Sequence, residues 1–179
     1  SYAIAPDFHP RNTEFAIGET EKYIEITTEK VLCRISQKDM KVSFWDTDGT
    51  LLCKDAKPFF RKDSIMKGVT EVKVTKEAPD ETQYFGLGDK ITDNGTLRGQ
   101  SFDNWNTDSY AYELEEHRDP LYRSIPFYHA LNSDGNAYGI FLDNTYRSHF
   151  DFDSNDNNTC TFSADGGCMN YYFIYGPDP

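Results

Sequence analysis

The chain has 179 residues, enough for one domain with a substantial core. Only 37% of residues are hydrophobic but 15% are aromatic, so the core leans on Phe and Tyr. A net charge of -12 argues against nucleic acid and anionic membrane as partners, because both require a basic face.

Residues 1–20 read as an irregular lead-in with Pro6, Pro10 and Gly18. Alternating β-formers then begin at Tyr23 and continue through Val31, Cys33 and Ile35. Val42 to Trp45 runs into Asp46-Thr47-Asp48-Gly49, a turn signal, and Leu51 to Cys53 follows, which spells a hairpin. Val69 to Val74 alternates with period two, as a half-buried strand does. Ser124 to Ala130 and Ala137 to Leu142 are strand-like runs on either side of Asn132-Ser133-Asp134-Gly135. Thr159 to Phe162 and Asn170 to Tyr175 complete the set, and Tyr112 to His117 has room for one short helical turn. No fixed repeat is present. The expected fold is all-β, an antiparallel β-sandwich in a single domain over 1–179.

Residues 86–120 interrupt this pattern. They are long, polar and poor in clear strands, and such connections often carry function. The charge is also uneven: residues 1–80 carry 14 acidic and 13 basic side chains, residues 81–179 carry 16 and 5. Nineteen of the 27 aromatics lie in the second half. Carboxylates, amides and aromatic faces together suit a neutral sugar; the plainer reading is a soluble acidic surface over an aromatic core.

The four cysteines, Cys33, Cys53, Cys160 and Cys168, form no zinc pattern. They read as mostly buried free thiols, with a disulfide left open should the protein be exported. No run of 18 apolar residues is present, so no transmembrane helix is expected. No leader is visible in these residues, which leaves the compartment open; the expectation is a soluble protein, cytoplasmic ahead of secreted. No cofactor and no metal are expected: the loop from Asp151 to Asn158 lacks the glycine and glutamate of a calcium loop and reads as a solvated turn.

Three stretches taken in order carry a family resemblance. Tyr84-Phe85-Gly86-Leu87-Gly88-Asp89-Lys90 is the first. The second runs from Leu97-Arg98-Gly99 through Trp105-Asn106-Thr107-Asp108 to Asp119-Pro120-Leu121-Tyr122-Arg123-Ser124-Ile125-Pro126-Phe127. The third is Tyr138-Gly139-Ile140-Phe141-Leu142-Asp143-Asn144-Thr145-Tyr146-Arg147-Ser148-His149-Phe150-Asp151, and Tyr172 to Pro177 closes the chain. Together they resemble the N-terminal domain of glycoside hydrolase family 31, the α-glucosidase and α-xylosidase type. Residues 1–80 match it in style alone. Asp89 stands where the family often has Glu, which a turn or an ion pair tolerates.

The resemblance implies a galactose mutarotase-like β-supersandwich preceding a catalytic (β/α)₈ barrel. It implies a retaining α-glycosidase whose two carboxylates both belong to that barrel. About 250 residues would be needed for the barrel, so a chain ending at Pro179 is expected to be inactive alone. The implied partners are an α-linked oligosaccharide and the barrel of the same polypeptide. The resemblance implies that Asp108 touches the bound sugar, and Asn106, Thr107, Trp105 and Tyr110 in the same loop are read as further substrate-binding residues. Asp108 can accept two hydrogen bonds from a vicinal diol, and Asn106 can donate and accept. The alternative for Asn106 and Asp108 is an Asx-type turn, and for Trp105 a place in the core. Gly86 and Gly88 read as a structural turn, since no phosphate-loop lysine follows. Arg147, His149 and Asp151 read as the polar face of a strand, with Arg147 paired to a carboxylate. Two other functions stay open: a stand-alone carbohydrate-binding module and an aldose mutarotase-like enzyme.

Overall fold

The computed structural model describes residues 4, 7, 14–64, 69–108 and 119–176. Thirteen strands follow in order: β1 (Ala16–Glu19), β2 (Tyr23–Thr27), β3 (Val31–Ser36), β4 (Val42–Asp46), β5 (Leu51–Ser64), β6 (Val69–Glu77) and β7 (Gln83–Gly88). The second half adds β8 (Ser101–Asn104), β9 (Ser124–Leu131), β10 (Ala137–Leu142), β11 (Ser148–Phe152), β12 (Thr159–Ala164) and β13 (Tyr171–Tyr175). Among the described residues there is no helix, and so none long and apolar enough to cross a membrane.

Two antiparallel sheets result. One has nine strands in the order β1-β2-β3-β4-β5-β6-β12-β11-β8, the other four in the order β13-β10-β9-β7. The order follows from local chemistry. At the β4–β5 turn, Asp46 accepts from the backbone amides of Asp48 and Thr50, and Gly49 takes a positive φ of 87°. At the β9–β10 turn, Asn132 N–H donates to Asn136 O and Gly135 again has positive φ. Both hairpins are those the sequence announces.

The core lies between the sheets. Alternation along β11 buries Ser148, Phe150 and Phe152 and turns His149 and Asp151 outward. Tyr84, Tyr128 and Ile140 from the small sheet meet Phe102, Phe150, Phe152 and Phe162 from the large one. Tyr128 packs edge-on to Phe152 at 5.1 Å between centroids. Such pairs add about 0.5–1.5 kcal/mol each beyond the area they bury. The small sheet does not reach across the whole large one. β1 is exposed throughout, and β2 and β3 are at most half-buried.

Two expectations change. The segment 86–120 contains β8, and Phe102 within it is a core residue. Gly86 and Gly88 sit in β7 at an irregularity in its pairing with β9 instead of in a free turn. A Cβ on Gly86 would lie 2.5 Å from Phe127 O and 2.9 Å from Tyr128 Cα, so the glycine allows two backbones to approach. The helical turn expected at Tyr112–His117 lies outside the described residues. All four cysteines are free, with Cys53 and Cys160 buried.

Candidate functional site

Four strand ends meet at one end of the sandwich. β8 stops at Asn104, β9 starts at Ser124, β10 stops at Leu142, and β11 starts at Ser148. The segments leaving them enclose a pocket of about 440 Å³, lined by Asn104–Asn106 on one side and Phe141–Tyr146 on the other. Ser124 and Pro126 contribute from β9. The second and third resemblance stretches, far apart in sequence, thus share one cavity.

The wall formed by 143–146 is held from behind. Asn144 donates its amide to Gly166 O at 2.8 Å and Cys168 O at 3.1 Å, and its Oδ1 accepts from Tyr146 N–H at 2.8 Å. The Tyr146 ring lies on Gly166 and Gly167: a Cβ would stand 2.5 Å from it at Gly166 and 3.2 Å at Gly167. Asp143 accepts from Asn170 at 2.9 Å. Asn144 is therefore a splint. The Asn104 carboxamide, the Ser124 hydroxyl and Asp143 Oδ1 are buried with no hydrogen-bond partner among the described residues.

The expected sugar-contacting residues divide. Trp105 is 48% exposed and lines the pocket with Asn106, so Trp105 is a rim residue and not core. Thr107 turns toward the adjoining segment: its amide donates to Leu121 O and its hydroxyl to Pro120 O at 3.3 Å. Asp108 is exposed, is not part of the pocket wall, and accepts from the Tyr122 hydroxyl at 3.3 Å. Tyr110 lies outside the described residues.

The base of this loop is fastened by charge. Lys90, whose side chain is buried, pairs with Asp119 at 2.7 Å and also donates to Asp103 O. Asp119 in turn accepts from Asp103 N–H. Asp89 pairs with Arg123 at 2.8 Å, which explains why an aspartate serves there.

On the outer face of β8, β11 and β12 lies a second cluster. Arg147 and His149 both bind the Asp103 carboxylate, and His149 Nε2 reaches Asp165 at 3.1 Å. Partial burial works to raise the Asp103 pKa, but the hydrogen bonds from Arg147 and His149 win and hold it below the ordinary carboxylate value. The same pairing raises Arg147. Arg147 thus has the carboxylate partner that the strand pattern called for. Asp151 and Phe152 end β11, and the turn itself is Asp153–Asn158, in which Asp153 accepts from Asn157 N–H and pairs with Arg98 at 2.8 Å.

A galactose mutarotase-like domain described as the N-terminal domain of glycosyl hydrolase 31 matches residues 1–151. The chain belongs to this family. It is 34% identical over its full length to alpha-glucosidase 2 of Bacillus thermoamyloliquefaciens, and covers 22% of that protein. It is 27% identical to the alpha-xylosidase XylQ of Lactiplantibacillus pentosus, with 97% of this chain and 23% of the relative aligned. Among solved structures, a Flavobacterium johnsoniae GH31 dextranase, captured with isomaltotriose, superposes with a TM-score of 0.75 at 32% identity. That match covers 90% of this chain and 19% of the dextranase. The chain thus spans about a fifth of the length of these relatives, and the antiparallel mutarotase-like sandwich is the fold they share.

Proposed function

We infer that this domain is the non-catalytic N-terminal part of a retaining α-glycosidase acting on α-glucosidic or α-xylosidic bonds. Its own contribution is the 105–108 segment, which meets the sugar at the mouth of a barrel in the same polypeptide. The observation that carries this is the position of Trp105–Asp108. The segment leaves the core strand β8 at a strand-end pocket, keeps Trp105 and Asp108 exposed, and is anchored beneath by Lys90–Asp119. A rigid base under an exposed Trp, Asn and Asp is what a sugar-contacting loop requires. The names of the relatives, an alpha-glucosidase and an alpha-xylosidase, support the substrate class.

The test uses the longer polypeptide. Asp108→Ala should lower kcat/KM for an α-glucoside by roughly 10–100-fold, about 1.4–2.8 kcal/mol of transition-state stabilisation, with the melting temperature unchanged. Unchanged kinetics would remove the loop from the active site. Turnover of a nitrophenyl α-glucoside by residues 1–179 alone would overturn the non-catalytic reading. A mutarotase needs a His and a Glu converging on one sugar; His129 instead lies against Phe85 and Phe127.

A further inference from the structure

Tyr146 is a large side chain placed where no core asks for it. It lies between β10 and β11 and is 56% exposed. Its ring is nevertheless fixed. A Cβ on Gly166 would stand 2.5 Å from both Cδ1 and Cε1 of the ring, and one on Gly167 would stand 3.2 Å from Cδ2 and Cε2. One face of the ring therefore covers both glycines, and the opposite face is the open one. Gly167 has a φ of 76° and needs glycine for its backbone. Gly166 has no such φ, so the ring alone excludes a side chain there. The Tyr146 backbone is held too, by its N–H to Asn144 Oδ1.

The open face has polar surroundings. Trp105, Thr145 and Tyr146 line the strand-end pocket and also an adjoining hollow of about 800 Å³, whose other walls include Arg147 and Asp165. Both of these charged side chains are partly exposed. A protein partner would seek contiguous apolar area. A rigid ring framed by hydroxyl, guanidinium and carboxylate groups suits a pyranose instead: its C–H face packs on the ring while its hydroxyls reach the polar rim. The 16 acidic against 5 basic side chains of residues 81–179 favour a neutral sugar over an acidic one.

We propose that Tyr146 is a stacking platform for a sugar ring, and that through it this domain favours longer neutral α-linked oligosaccharides over short ones. The inference rests on the functional reading above, which puts one sugar unit at the 105–108 segment. Trp105 and Tyr146 share both hollows, so a chain continuing past Trp105 has Tyr146 as its next aromatic support.

Hydrolysis of maltose and maltohexaose by the longer polypeptide, with the isomalto pair alongside, tests this on whichever linkage is cleaved. The parent should prefer the longer sugar in kcat/KM. Tyr146→Ala should lower kcat/KM for the longer sugar about tenfold more than for the shorter, and Tyr146→Phe, which keeps the ring, should stay within about twofold of the parent on both. Gly166→Ala keeps the tyrosine but displaces its ring, and should show the same bias; it decides the matter if Tyr146→Ala does not fold. Equal losses on the two lengths would make Tyr146 a structural prop and overturn the proposal, as would a parent without preference for length. Asp108→Ala is read separately and should affect both lengths alike. A length bias in the Tyr146 variants with Asp108→Ala silent sinks the loop assignment and leaves the platform standing, and the converse result does the reverse.

Discussion

Lys76 on β6 and Asp55 on β5 face each other at 2.7 Å inside the sandwich, with 1% and 6% of their side chains exposed. Burial works to depress the lysine, but Cys53, Tyr171 and the Asp55 carboxylate around it more than offset this and hold its pKa above the ordinary value. The ammonium also donates to the Tyr171 hydroxyl at 3.1 Å and sits over the Phe44 ring at 5.4 Å. Asp55 accepts from Val42 N–H at 2.7 Å.

Removing one partner should therefore cost far more than removing both. Asp55→Asn and Lys76→Met are each expected to lower unfolding free energy by about 3–5 kcal/mol, because each strands a buried charge or donor. The pair Asp55→Leu with Lys76→Met should recover at least half of that. Urea unfolding measures it; additive losses in the double variant would refute the coupling. The pH dependence has a definite sign. A raised folded-state pKa gives stability that is whole below the unfolded value of 10.5 and falls as pH rises above it.

The Asp103 cluster has the opposite sign. Its folded-state pKa is lowered, so the stability it confers is present above its ordinary value of 3.8 and is lost as pH falls through the lower folded value. Asp103→Asn should flatten the acid limb of a stability-versus-pH curve below about pH 4. An acid limb identical to that of the parent protein would show that Arg147 and His149 do not stabilise the charged form.

Gly86→Ala meets backbone, with Phe127 O at 2.5 Å, and must also hold a φ of 132°. A loss of about 2–3 kcal/mol or more is expected. Gly135→Ala, at φ 87° with open space around it, should cost about 1 kcal/mol. Thermal unfolding of the two variants side by side tests whether strand approach, and not the dihedral alone, sets the larger cost.

The thiols should sort by burial. Burial pushes Cys160 up to about 12 and raises Cys53, so neither should react with an aromatic disulfide reagent at neutral pH until the domain unfolds. Cys168, which is exposed, should react at once. Rapid release of more than two equivalents from the native protein would contradict the packing around Cys53 and Cys160.

Local chemistry explains which of these features the sequence disclosed. The hairpins around Asp46–Thr50 and Asn132–Asn136 were legible because turn residues sit between alternating runs. β8 was not: four residues, Ser-Phe-Asp-Asn, contain one core side chain and no period to count. The Lys76–Asp55 pair was equally silent, since its partners come from neighbouring strands with no local signature. In the candidate site, Trp105 and Asn106 were found through the resemblance, yet the roles of Asn104, Asp143 and Asn144 required strand ends to be brought together in space. The strand face of Arg147 and His149 was legible from alternation; Asp103 as their common partner was not.

The nine-stranded sheet overhangs its four-stranded cover, and this splits the molecule into a double-layered block and a single-layered wing of β1, β2 and β3. The wing is held by its ladder, by the Arg34–Glu25 pair at 2.7 Å, and by Arg34 lying over Tyr23 and Trp45. Its residues are exposed or half-buried, so its local stability is expected to fall below that of the block. Substitutions in the wing are thus screened mainly by solubility and edge protection, and those in the block by volume and shape.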